Sequence, residues 1–178
     1  MTPAADRSLV LVGLMGAGKT SIGKRLAARL ELPFVDADAE IEKAAGMTVS
    51  EIFAQHGEPY FRDGERRVIA RLLEGPRQVL ATGGGAFVDP ENRARIKAAG
   101  WSIWLRATID TLLKRVKRRG TRPLLSQGDP RAVLERLMAE RHPFYAEADI
   151  VIDSGDGPHE TVVESIVQEL NRRATDHA

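Results

Sequence analysis

Residues Gly13–Thr20 read GLMGAGKT and satisfy G-x-x-x-x-G-K-[ST] at every fixed position. No other stretch narrows the fold as far, because of what flanks it. Ser8–Gly13 (SLVLVG) is apolar, β-branched and ends on glycine, the pattern of a buried strand. Beyond the loop, Ile22, Leu26 and Leu30 recur with Lys24, Arg25 and Arg29 between them. Lys19–Leu30 is therefore expected to be an amphipathic helix that stops before Pro33. A glycine-rich turn from strand into helix lets consecutive backbone N–H groups face phosphate oxygens, and the positive helix end adds to that field. The ligand implied is a nucleoside triphosphate, with Lys19 reaching the β- and γ-phosphates and the Thr20 hydroxyl available to Mg²⁺.

Downstream, short apolar runs alternate with amphipathic segments. Strands are expected at Pro33–Asp36, Gln78–Thr82, Trp101–Leu105 and Ile150–Asp153. Helices are expected at Glu58–Glu74, from an Asp89 cap and Pro90 to Ala99, and at Thr108–Arg119. Two more run from an Asp129-Pro130 cap to about Glu147 and over Pro158–Arg173. Two short helices, Asp38–Ala45 and Thr48–His56, crowd the interval after the second strand, with Thr48 and Glu51 at capping-box spacing. Five strands separated mostly by helices imply α/β architecture, a parallel sheet covered on both faces in three layers. The extra helices do not serve the sheet, and such an insertion suits substrate recognition.

Composition removes several alternatives. A chain of 178 residues buries roughly 70% of its unfolded surface, enough for one self-sufficient domain. The absence of cysteine excludes disulfides, thiolate zinc sites and a cysteine nucleophile. With 26 basic and 25 acidic residues, no net field advertises nucleic acid or a membrane surface. Leu9–Met15, the longest apolar stretch, is too short to span a bilayer, and Met1–Arg7 lacks a signal-peptide pattern. A cytoplasmic protein is expected. His56, His142, His159 and His177 show no metal-ligand spacing.

Several side chains could carry chemistry. Asp36 and Asp38 follow the second strand, where a parallel sheet forms its ligand crevice. One carboxylate suits the metal shell and the other a substrate hydroxyl; the competing reading is that Asp38 caps the next helix. Arg62 and Glu65 share a helix face in the insertion, close enough for the acid to hold the guanidinium, although a lone arginine is more often a surface residue. Gly83-Gly84-Gly85 ends the third strand and either permits close approach of a ligand or simply turns the chain. Lys114, Arg115, Lys117, Arg118, Arg119 and Arg122 form a basic run with no acid between Thr111 and Gly128. It reads as a solvated face or as a cover over triphosphate; without interleaved aromatics it is a poor nucleic-acid patch. Arg141 has no role legible from spacing.

GLMGAGKT, FVDAD, FRDGE, ATGGGA, TRPLL and ERHPFY follow in this order over nearly the whole chain, and together they resemble the shikimate kinase family. The resemblance implies a nucleoside-monophosphate-kinase-like fold with sheet order 2-3-1-4-5. It implies ATP- and Mg²⁺-dependent phosphorylation of the 3-hydroxyl of shikimate, giving shikimate 3-phosphate and ADP for aromatic amino-acid biosynthesis. Gly16, Ala17, Gly18, Lys19, Thr20 and Ser21 would then wrap the ATP phosphates, with Thr20 on Mg²⁺ and Asp36 in its outer shell. Arg62 and Arg141 would grip the substrate carboxylate, while Asp38 and the Gly84 amide, with Gly85 beside it, would hold hydroxyls. Arg122 matches a lid arginine that reaches the phosphates, and Arg115 an adenine-stacking position. Lys19, Asp38 and Arg122 are the expected catalytic residues. The whole chain, 1–178, would be one kinase domain and a monomer, with a substrate-binding insertion at about 37–65 and a lid at about 115–128. The rival within this fold is another small-molecule kinase, such as a gluconate kinase. A GTP-dependent switch would need an N-K-x-D segment, which is absent.

Overall fold

Ser8–Val12 (β1) carries four aliphatic side chains in succession, Leu9 to Val12, and all four are fully buried. Only a strand covered on both faces permits that. The computed structural model describes residues 6–118, 128–155 and 157–176. In it β1 is the middle of a five-stranded parallel sheet ordered β2-β3-β1-β4-β5. It pairs with β3 (Val79–Ala81) and β4 (Gly100–Arg106), and β2 (Phe34–Asp36) and β5 (Ile150–Asp153) form the edges. Strand β3 is shorter than its apolar run, and Thr82 just beyond it donates both its amide, at 3.2 Å, and its hydroxyl, at 2.8 Å, to the Leu11 carbonyl. Strand β4 instead runs one residue further at each end than expected.

Lys19–Leu30 is helix α1, with Ile22, Leu26 and Ala27 turned into the main core. The closing helix α8 (His159–Asp176) begins after Pro158 and lies beside it, joined at the surface by Arg25–Glu160 at 3.3 Å and Arg29–Glu164 at 3.8 Å. The crowded interval holds α2 (Ala37–Ala45), α3 (Val49–His56) and α4 (Glu58–Glu74). Thr48 and Glu51 form the expected capping box at the start of α3. These helices share a small apolar cluster of their own, Ile41, Ile52, Phe61 and Val68, while Ile69 of α4 reaches the main core. The insertion is thus held by its own burial and anchored to the main core through Ala37 of α2 and Ile69 of α4.

Helix α5 (Pro90–Ala99) starts on Asp89, whose carboxylate accepts from the Glu91 and Asn92 amides. After β4 come α6 (Ile109–Arg118) and α7 (Pro130–Tyr145). Asp129 precedes α7 as expected, but its side chain accepts no capping hydrogen bond. Pro130 at the first helical position pre-sets φ there, so the start does not depend on a cap. Most of the expected lid, including Arg122, lies outside the described residues. Among the described residues no helix is long and apolar enough to cross a membrane.

Candidate active site

The carboxyl ends of β1, β2 and β3 open into a cleft of about 410 Å³ that has the phosphate loop on one side and α3 and α4 on the other. This is where an open parallel sheet offers its strand ends to a ligand. Lys19, Asp38, Arg62, the three glycines Gly83–Gly85 and Arg141 all line it. Residues from opposite ends of the chain, Lys19 and Arg141, therefore meet in one space.

The loop is held in its turn by its own backbone, with the Ala17 amide donating to Leu14 O at 3.1 Å. Gly16 and Gly18 adopt φ of +84° and +100°, values a side chain would resist. Gly18 is also the N-cap of α1, and no side chain caps that helix and no acid occupies its first turn. Helices α4 and α7 also lack a side-chain cap but carry proline in their first turn, whereas α1 is entered directly from the glycine loop, which makes its bare end an anion site. The loop carbonyls are satisfied from behind. Ser154, buried at the end of β5, donates its hydroxyl to Ala17 O at 2.9 Å. Arg115 of α6 donates to Gly16 O at 3.2 Å, Ala17 O at 3.0 Å and Ser154 Oγ at 3.1 Å. Lys19 Nζ donates to the Gly13 carbonyl and to Leu14 O at 3.1 Å. Arg115 is thus not part of a solvated face: its guanidinium braces the outer side of the phosphate loop.

The aspartates divide their work differently from the capping alternative raised by sequence. Asp36, not Asp38, is the N-cap of α2, accepting from the Ala39 amide at 3.2 Å. The chain is still extended at Asp36 and already helical at Asp38, so only the former has cap geometry. Asp38 points into the cleft, and its Oδ1 is buried without a hydrogen-bond partner among the described residues. Burial pushes the Asp38 carboxyl above the usual aspartate range; the Asp36 charge adds to this, and Lys19 opposes it. An orphaned carboxylate oxygen aimed into a cleft is prepared to accept from a ligand hydroxyl.

Each glycine of the 83–85 turn seats one polar side chain. A methyl added at Gly83 would lie 2.8 Å from Asp38 Oδ1, and one at Gly84 would lie 2.6 Å from Arg141 Nη1. At Gly85 it would fall inside the Arg62 guanidinium, 2.7 Å from Cζ. The run is therefore a close-approach device, not merely a turn. Arg62 is fixed in turn by Glu65, which is 1% exposed and accepts from Nη1 at 3.0 and 3.2 Å. Burial raises the Glu65 carboxyl as well, with Arg62 as the opposing charge. Removing Arg62 would leave Glu65 buried and uncompensated, whereas Arg62 has a second partner in Glu58 at 3.4 Å.

The structure thus brings together Lys19, Asp38, Arg62, Gly84, Gly85 and Arg141, with Thr20 and Asp36 on the same cleft wall. Sequence reasoning missed Phe53, which lines the same cleft with its ring 4.8 Å from Phe61. It also missed Ser154 and Tyr145, whose hydroxyls act on backbone carbonyls from within the core. A tyrosine on the buried face of an amphipathic helix carries no signal that separates it from packing.

Residues 15–171 match the family model described as shikimate kinase. A shikimate kinase from Paramagnetospirillum magneticum is 61% identical over 92% of this chain and 84% of its own. Among solved structures, a shikimate kinase from Acinetobacter baumannii in complex with shikimate superposes with a TM-score of 0.90 at 36% identity, covering 96% of this chain and 98% of that one. A gluconokinase from Sinorhizobium meliloti covers 96% of this chain and 95% of its own at a TM-score of 0.63 and 18% identity, a likeness of fold alone.

Proposed function

The chain belongs to the shikimate kinase family, and we propose that its cleft holds the 3-hydroxyl of shikimate in line with the γ-phosphorus of ATP. The observation that carries this reading is the glycine turn, where one carboxylate and two guanidiniums are seated beside a bare helix N-terminus. Arg62 and Arg141 present the donors that a carboxylate on the substrate ring needs. Asp38 accepts from the reacting hydroxyl and takes its proton as the oxygen bonds to phosphorus. The Gly84 amide holds a second hydroxyl, and Gly85 keeps the space for Arg62. On the other side, Gly16–Ser21 amides surround the phosphates, and Lys19 follows the charge that shifts onto the leaving ADP. Arg122, outside the described residues, is assigned to the same phosphates. Arg115 combines its brace with a face toward the adenine.

The family uses ATP, and a divalent cation fits the donors present. Among the described residues no three acidic or histidine side chains cluster into a metal cage. Mg²⁺ needs no such cage, since it keeps most of its waters and phosphate oxygens and takes one or two protein oxygens. Thr20 and Asp36, both on the cleft wall, supply hard oxygens of that kind. Bound there, the cation would neutralise charge on the bridging phosphate oxygens.

ADP release in a coupled assay, run against shikimate, gluconate and nucleoside monophosphates, tests the acceptor. Shikimate should be turned over at least tenfold more efficiently than the others; equal rates with gluconate would reject the assignment. Gly85→Ala should raise the KM for shikimate about tenfold or more and leave that for ATP within twofold, because the methyl displaces a guanidinium that Glu65 holds fixed. Gly64→Ala is the control. Nothing lies within 4 Å of a methyl there, so neither KM should move, and removing a helix-interior glycine should add about 0.5–1 kcal/mol of stability.

A further inference from the structure

Tyr145 is the largest fully buried side chain among the described residues and the last residue of α7. Its hydroxyl donates to the Gly84 carbonyl, 61 positions away in the chain. That carbonyl belongs to the peptide joining Gly84 to Gly85. A trans peptide is planar with its C=O and N–H pointing in opposite directions. Fixing the carbonyl toward the core therefore turns the Gly85 N–H away from it. Among the described residues neither the Gly84 nor the Gly85 amide donates a hydrogen bond to the protein. Glycine has the freest backbone of any residue, so three in a row would not hold one orientation by themselves. Arg141, one helical turn earlier in α7, converges on the same glycine, its Nη1 2.6 Å from where a methyl on Gly84 would lie, and its charge acts on the Tyr145 hydroxyl.

We propose that Tyr145 is a positioning residue of the acceptor site: its hydroxyl sets the plane of the Gly84–Gly85 peptide and the place of Arg141. Through them it determines how tightly shikimate is held. This rests on the acceptor reading given above. One hydroxyl thus ties the turn that supplies amides to the helix that supplies the carboxylate-binding arginine. Burial pushes the Tyr145 hydroxyl up to about 12, so it remains a donor throughout the pH range in which a kinase works. A buried residue selected only for packing would not need that oxygen, since a phenylalanine fills the same space against Trp104, whose ring lies 5.7 Å away.

Tyr145→Phe keeps the ring and deletes the one donor, and is expected to fold. Steady-state kinetics should show the KM for shikimate raised about tenfold, with the KM for ATP within twofold and kcat within threefold. Calorimetric titration with shikimate alone should show the same loss of affinity. Leu137→Ala, a packing lesion in the same helix, serves as the comparison. It should lower the melting temperature at least as much while leaving the KM for shikimate within twofold. An unchanged KM for shikimate in Tyr145→Phe, or an equal rise in Leu137→Ala, would overturn the positioning role. If the unaltered enzyme does not phosphorylate shikimate, the acceptor reading itself fails, a result separate from either of these.

Discussion

Lys19→Ala is expected to lower turnover with shikimate by on the order of 10²-fold or more. The ammonium is the one cation of the phosphate loop itself, at the first position of a helix with no capping side chain and no acidic residue in its first turn. On the proposed reading, charge moving from the γ-phosphoryl toward ADP in the transition state would lose the cation that the phosphate loop supplies. The side chain also has a second task. Nζ donates to the carbonyls of Gly13 and Leu14 and so ties the loop to itself. Its removal should therefore lower the melting temperature slightly, by a few degrees at about 2–4 °C per kcal/mol for a domain of this size. The diagnostic comparison is thermal stabilisation by ATP: strong in the unaltered enzyme and much reduced in the variant. Near-normal turnover in Lys19→Ala would remove the phosphate-loop assignment.

How much of this could be read beforehand depends on whether the determinant is local. Helix α1 is legible to the residue, Lys19–Leu30, because its apolar spacing is unbroken and Pro33 stops it. The Thr48–Glu51 box is equally local, since both reciprocal bonds lie within four residues. The division between Asp36 and Asp38 is not legible. D-A-D looks the same whichever aspartate caps, and the choice is made by where β2 ends and α2 begins. Arg115 misleads for a different reason. In sequence it is one cation in a basic run, yet in the fold it is drawn inward by loop carbonyls that must point outward once their amides face a ligand. The glycine turn is legible as a turn but not as three seats, because its meaning lies in side chains from α2, α4 and α7.

Asp38→Asn is expected to have opposite effects on rate and stability. Asparagine keeps the shape of the side chain but cannot take a proton from the acceptor hydroxyl, so turnover should fall by on the order of 10²-fold or more. ATP affinity should stay within a few-fold, because the triphosphate site is built from other residues. Stability should rise. Burial, with Asp36 alongside, lifts the Asp38 carboxyl above its ordinary range, with Lys19 and Arg62 opposing and Glu42 adding. The native protein then binds this proton more tightly than the unfolded chain does. Stability from this group is therefore full below the ordinary aspartate value and falls as pH rises through the raised native value. In metal- and nucleotide-free buffer, the variant should melt a few degrees higher than the unaltered enzyme at neutral pH. That advantage should shrink as the pH is lowered and vanish once both side chains are neutral. Asp36→Asn provides the contrast. Asparagine can still cap α2, so the fold should persist, while ATP binding should weaken and recover as magnesium is raised. With the Asp36 charge gone, Asp38 is lifted less, and the extra stability of Asp38→Asn measured in the Asp36→Asn background should be smaller. Normal turnover by Asp38→Asn would move the acceptor contact elsewhere. Lowered turnover with no gain in melting temperature at neutral pH would mean that the ionised carboxylate is already compensated in the empty cleft.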